Sequence, residues 1–302
     1  MGIPITQGSI PSLLLPHLHA IAWNIDTYPD LFKDIFTCFD GKHAVEYELL
    51  MGDMGPAQVK AEGAPFYQGS MQELWKASYP LRTYGISFTI TQEALDDNLY
   101  PDQFPLTASM FKQSMSSARN ISAMDVINGG FEFSYANGDA QPLFSLNHPT
   151  SKGTLANTFP DRIDLNEASL EDAITIIKLW ESWGGNIQDI NPFRLVVHPK
   201  LQYQASRLLN GRERTGTANR EISALVHDEY IPGGFTVNPY IHNPGFWGIL
   251  TDIEHGFKFF SKRRPTVNYN MDNDTNNFTA RIFERNSKGF TDWRCMFAAI
   301  GV

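Results

Sequence analysis

Apolar and polar positions alternate along this chain with two different periods, and the periods divide it into elements. Val45, Tyr47 and Leu49 alternate with Glu46 and Glu48, the pattern of a half-buried strand. Gly52-Asp53-Met54-Gly55-Pro56 is a turn, and Gly63–Ser70 reads as a hairpin tip or long loop. Ile86, Phe88 and Ile90 then alternate with Ser87, Thr89 and Thr91. The extended stretch Glu62–Thr91 shows no core of its own, and a two-stranded ribbon is marginal alone in water. Phe66, Tyr67, Trp75 and Tyr79 are costly to leave exposed, so the pattern predicts that they dock onto a neighbour, most simply another copy of the chain.

The period then changes to that of a helix. Thr91 is an N-cap for a short helix over Gln92–Leu99, with Glu93 in its first turn, and Pro101 stops it. A long helix follows over Phe104–Asn128. Ala108, Phe111, Met115, Ala118 and Ser122 share one stripe, Met110, Ser114, Ile121 and Met124 lie near it, and Asn128-Gly129-Gly130 ends it. At 1.5 Å per residue it spans roughly 36 Å, enough for a spine across a domain.

After the loop-rich residues 131–165, Glu167–Trp183 is a second amphipathic helix with Leu170, Ala173, Ile174, Ile177 and Trp180 on one face, ended by Gly184-Gly185. Phe193–His198 is a buried-type strand, Pro199 opens a helix to Leu209, and residues 212–220 form a polar, arginine-bearing loop. The tail returns to strands at Gly256–Phe260, Thr266–Met271, Phe278–Arg285 and Cys295–Ile300, expected to pack beside the long helix. Residues 1–44, punctuated by Pro4, Pro11, Pro16 and Pro29, read as an arm with a short amphipathic helix within Ser12–Asn24. The whole is an α+β body with a central α/β portion and no internal repeat.

Composition narrows the function classes. With 302 residues, 42% hydrophobic and 19% charged, the chain is globular, of one large domain or two modest ones. Its net charge of −9 argues against a non-specific nucleic-acid binder, which neutralises phosphates, but suits a protein that merely encloses nucleic acid. Cys38 and Cys295 stand far apart with no CxxC, and read as two ordinary thiols. The start lacks a signal peptide's basic n-region, and no run approaches the ~20 apolar residues of a membrane helix.

Candidate chemistry is sparse. Asp272–Asn277 resembles the start of a calcium loop, but Asn277 and Phe283 stand where Gly and a bidentate Glu are needed, so a turn between strands is preferred. His17 and His19 lack a third ligand. His148, His198 and His255 are scattered, and no GxSxG elbow accompanies them. No phosphate-cradling glycine loop exists. Lys262-Arg263-Arg264 is the only basic triplet, a nucleic-acid or acidic-neighbour contact or a solvated strand end, and Asp96-Asp97 is a solvated helix face. The residues predict no enzyme, cofactor or metal; the alternative is a hydrolase with a non-standard triad drawn from His148, His198 or His255.

Several stretches resemble tailed-phage major capsid proteins, specifically the Mu-like major head subunit family: Ile90–Tyr100 before the long helix, Leu143–Pro149, Leu195-Val196-Val197-His198-Pro199 and Ile231–Tyr240. The resemblance runs from about Gly63 to the C-terminus, in the same order along the chain. It implies the HK ninety-seven type capsid fold. Residues 1–44 are then an N-arm, 45–91 extended strands including an E-loop (about 56–88), and 92–185 a P-domain with the spine helix (about 104–128). Residues 186–255 form the A-domain, and 256–302 a strand-rich return to the P-domain.

The implied function is a major head protein assembling with itself into hexamers and pentamers of an icosahedral shell around double-stranded DNA. It is put together in the host cytoplasm with a scaffolding protein, a portal and a possible decoration protein, and without a membrane. Candidate inter-subunit contacts are Phe66, Tyr67, Trp75 and Lys76 in the loop and Arg212, Arg214 and Arg220 in the arginine-bearing loop; Lys60 and Lys76 are weak candidates for covalent crosslinking. Another phage structural part, such as a decoration or portal-associated protein, is the second alternative.

Overall fold

In the computed structural model the helical period after residue 103 is realised as α1, Phe104–Asn128, 25 residues long. The described residues are 29–69, 71–91, 104–133, 138–211, 229–253, 256–272 and 277–302; the expected helices over Ser12–Asn24 and Gln92–Leu99 lie outside them. One face of α1 lies on a sheet of β1 (Thr37–Asp40), β10 (Phe257–Met271), β11 (Phe278–Phe290) and β4 (Arg82–Ile90), in that order. β1 runs parallel to β10, and the other pairs are antiparallel. Met115 and Ile282 are the buried contact between helix and sheet, with Phe111, Tyr84 and Val267 around them, and the Phe88 and Phe111 rings sit 4.7 Å apart. Met110 and Ile121, expected near the buried stripe, are exposed, because the sheet covers only the neighbouring face of the helix.

The second sheet has the order β12 (Met296–Ile300), β9 (Phe246–Thr251), β7 (Pro192–Val197), β8 (Phe235–Val237). Its strands are apolar on both faces, as a sheet covered on both sides requires. Val196, Leu250 and Met296 face a core shared with Met124, Ile127, Phe144 and Phe259. Leu195, Val197, Ile249 and Phe297 face the core under α2 (Glu167–Lys178) and α3 (Gln202–Asn210). Asn166 caps α2 in a reciprocal box with Ser169: the Asn166 side chain accepts from the Ser169 amide at 2.9 Å, and the Ser169 hydroxyl from the Asn166 amide at 3.0 Å.

Two expectations change. α2 ends at Lys178 rather than Trp183; Trp180 is buried beyond the helix, its indole N–H donating to Ala156 O, and Gly184-Gly185 belong to the following turn. β10 is one long strand through Lys262-Arg263-Arg264, with register shifts between Ser261 and Thr266, where two separate strands were expected. β10 and β11 return to the helix, and the last strand, β12, pairs with β9 in the second sheet while its Met296 and Ala298 share a core with Ala123, Met124 and Ile127 of α1. Its residues Phe297, Ala298 and Ala299 are apolar enough to be buried on either face, so alternation alone could not choose the sheet.

A buried charged group ties the N-terminal segment to this frame. Arg119 of α1 lies 3.2 Å from Asp30 and 3.7 Å from Glu284 of β11. Asn120 accepts from the Phe32 amide at 3.1 Å and donates to Pro29 O at 3.2 Å. Among the described residues no helix is long and apolar enough to cross a membrane.

Candidate inter-subunit surface

β2 (Val45–Met51) and β3 (Glu73–Pro80) form a two-stranded antiparallel ribbon joined by residues 52–72, which hold no strand or helix where described. The alternation in β2 places its apolar residues on the opposite side from that expected of a half-buried strand. Tyr47, Leu49 and Met51 are exposed. Glu48 turns inward, where it pairs with Lys258, itself 5% exposed, and accepts from the Thr291 hydroxyl. The Tyr79 hydroxyl lies 2.5 Å from Thr291 Oγ1, its ring 5.0 Å from that of Phe260, and burial pushes its phenol well above the ordinary range. A buried lysine needs a carboxylate more than the strand needs to bury Leu49, so Lys258 sets the facing of the ribbon.

Tyr79 therefore docks onto its own chain and not onto a neighbour. Trp75 is half-buried against Trp183, ring centroids 6.2 Å apart, and against Gly138, where a Cβ would overlap the indole. The stretch Glu62–Thr91 thus has core contacts through β3 and β4, unlike the coreless segment expected from its pattern. Phe66 and Tyr67 are different: they are 78% and 59% exposed. Lys60 Nζ stands 4.8 Å over the Phe66 ring, and Lys76 Nζ 3.7 Å over that of Tyr47. Met54, Val59 and Met71, in the same 52–72 segment, are exposed as well. Methionines near a turn carry no pattern of their own, and only their exposure in the fold marks them. Arg212, Arg214 and Arg220 lie outside the described residues.

The root of the loop is fixed although its tip is bare. Asp53 accepts hydrogen bonds from the Ser182 hydroxyl at 2.7 Å, the Gly184 amide at 2.6 Å and the Asn186 side chain. Burial pushes its carboxyl up, but these hydrogen bonds outweigh burial and hold it below the ordinary value. Gly55, at φ +74°, and Gly184 meet so closely that a Cβ on Gly184 would strike the Gly55 backbone, which only two glycines permit.

Two histidines of the hydrolase alternative, His148 and His198, make structural contacts. His148 is fully buried and stacked on Trp293 at 4.3 Å; its Nδ1 lies 2.6 Å from Asp139 and its Nε2 3.1 Å from Asn157 Oδ1. Asn157 also donates to the carbonyls of Leu143, Trp293 and Met296 and accepts from the Ser145 amide. With both ring nitrogens occupied, His148 has no open side toward a substrate. His198 Nδ1 accepts from the Lys200 amide at 3.1 Å, capping the turn at Pro199, and burial lowers its pKa. His255 lies outside the described residues. Among the described residues no three His, Cys, Asp or Glu groups converge as metal ligands. Cys38 is exposed and Cys295 buried, and both are free thiols. Asp272 N–H donates to Asn277 O at 3.0 Å, so these two residues close the turn between β10 and β11.

A family model described as phage capsid protein matches residues 75–299. Solved structures are similar over nearly the whole length. The virus-like particle from Pyrococcus furiosus has 12% identity, covering 94% of this chain and 98% of that one, with a TM-score of 0.56. The capsid of a native GTA particle has 10% identity over 91% of each chain, with a TM-score of 0.61. Mycobacterium phage Patience gives 12% identity, 100% and 95% coverage, and a TM-score of 0.56. No curated protein matches the chain by sequence.

Proposed function

The chain belongs to the phage capsid protein family, and on that premise we propose that it closes a DNA-filled head by docking the 52–72 loop and the outer ribbon face of each copy onto the next. Its fold is the HK ninety-seven type of its structural neighbours, and it is a virion component fitting a tailed-phage major capsid protein that associates with itself. The finer reading is a Mu-like head subunit in hexamers and pentamers, with the N-arm, E-loop, P-domain and A-domain bounds given above. Assembly takes place in the host cytoplasm with scaffold and portal partners, an optional decoration protein, and DNA enclosed without sequence recognition. Arg212, Arg214 and Arg220 belong to this reading as contacts around a ring, and the protein performs no catalysis.

One observation carries the proposal: apolar side chains stand out from an anchored base. Phe66, Tyr67, Tyr47, Leu49 and Met51 are exposed, while Asp53 holds the loop root by several hydrogen bonds. Large exposed aromatics on a fixed support lose little conformational entropy on docking, which is the physics of an interface anchor. Heterologous contacts of this kind generate rings, and rings generate a shell.

The test is negative-stain electron microscopy with light scattering on the purified chain, alone and with a scaffold protein. Shells, tubes or ring-shaped capsomers are expected. A monodisperse monomer or dimer under both conditions would overturn the reading.

A further inference from the structure

The sheet that carries α1 has a second face, turned away from the helix. Cross-strand register places Arg281 opposite Ser87 and Asn268, Phe283 opposite Gly85 and Thr266, and Arg285 opposite Thr83 and Arg263. Residues directly opposite one another share a face, so these side chains form one surface across β10, β11 and β4. Arg263, Arg281, Thr83 and Ser87 are exposed on it, and Arg285 is partly so. Between Thr279 and Arg285 and their partners, the face carries arginine, Ser, Thr, Asn, Gly and one Phe, and no carboxylate. That is unusual in a chain with 33 acidic and 24 basic residues.

The arrangement is costly for a lone subunit. Like charges directly opposite on neighbouring strands destabilise a sheet, and Arg263 stands against Arg285. Among the described residues Arg263, Arg281 and Arg285 form no ion pair; Arg263 only stacks over Phe283 at 4.4 Å. The Arg285 Nε is buried without a hydrogen-bond acceptor. It is the exposed, unpaired guanidinium groups of Arg263 and Arg281, inside an uncompensated positive face, that call for an anionic partner.

We propose that this face is an inter-subunit docking surface whose occupant is a carboxylate-bearing surface of a second copy. The inference rests on the shell reading above and goes beyond the apolar loop. Charge selects the occupant: with a net charge of −9 and this face positive, the rest of each copy carries the acidic excess. Size agrees. Seven residues of strand across three strands make a patch of about 300 Å². That is well short of the ~800 Å² per partner of a free-standing complex, but enough for one contact among several in an array of identical copies.

The experiment compares the full-length wild type, R281E/R285E, R281K/R285K and T83E/S87E by sedimentation and negative-stain microscopy, before and after nuclease treatment. Expected are wild-type circular dichroism in every variant and shells from wild type and the lysine variant. Both glutamate variants should lose the sedimenting fraction by roughly ten-fold or more, as like-charge juxtaposition in an interface predicts. T83E/S87E reaches the same face from exposed edge positions, so it decides the matter if R281E/R285E fails to fold. Shells from a folded glutamate variant at the wild-type level would overturn the inference and leave the shell reading intact. Shells that merely lose co-purifying nucleic acid would assign the face to nucleic acid and overturn it as well. A wild-type chain that never assembles, even with scaffold, would sink the shell reading and this inference together.

Discussion

Glu284 is 2% exposed under α1, with the Asn286 amide 2.8 Å from one carboxylate oxygen and Arg119 3.7 Å from the other. Burial raises its pKa to about 7, Arg119 only partly opposing. Lys288 beside it donates to the Tyr84 hydroxyl at 2.6 Å, and burial lowers its pKa to about 8. The signs follow from proton counting. Between the ordinary carboxyl value and about 7, folded Glu284 holds a proton that the unfolded chain has released, so stability falls as pH rises through that window. Between about 8 and the ordinary lysine value, the unfolded chain holds the extra proton, so stability rises again.

The unassembled wild type is therefore expected to melt higher at pH 5 than at pH 7.5, by on the order of 2–3 kcal/mol of unfolding free energy. Glu284→Gln should remove most of that slope in thermal melts across pH; an unchanged slope would refute the assignment. Asn157 offers a second residue-scale test. Its amide serves backbone carbonyls on different segments and its oxygen serves Ser145 and His148. Asn157→Ala should lower stability by about 3–5 kcal/mol in urea denaturation, by leaving buried groups unpaired. At this scale the sequence was least legible: His148 stood out as a titratable group, but that both its nitrogens are occupied depends on Asp139 and Asn157, which nothing local connects to it.

Elements were more legible than their surroundings. α1 has the bounds its period predicts, because a 25-residue helix closed by Asn-Gly-Gly carries its own signal. The β2 alternation marked the strand but not its facing, which Lys258, 210 residues away, decides through Glu48. Tyr79 read as an interface aromatic for the same reason: its partner Phe260 is remote in sequence. The 52–72 loop gives the element-scale prediction. The depressed Asp53 carboxyl holds its clamp above the ordinary value near 3.8 and loses it as pH falls through the lowered one. Asp53→Ala should leave the circular dichroism of the protein unchanged and make the loop cleavable by a protease at neutral pH. Equal cleavage rates in wild type and variant would remove Asp53 from that role.

For the whole molecule, the exposed aromatics and the fold predict opposite behaviour for paired substitutions. Phe66→Ala with Tyr67→Ala touches no buried contact and should melt like wild type yet fail to form shells, each truncated anchor costing about 2 kcal/mol or more per interface. Trp75→Ala should lower the melting temperature of the single subunit, since its ring packs within the chain. Melting curves and micrographs of the same preparations separate the two effects.

The pairing of β1 with β10 and of β4 with β11 also has a consequence in time. During synthesis residues 37–90 leave the ribosome long before residues 257–290 exist, and at ~5–20 residues per second the wait is roughly 10–40 s. Through that interval Phe32, Phe36 and Tyr79, all buried in the finished chain, are without the strands that cover them. A head needs many copies made at once, so nascent chains carry their stickiest surfaces side by side at the moment of greatest crowding. The yield of assembled protein is then expected to depend on how these surfaces are shielded during synthesis as much as on the strength of the finished contacts.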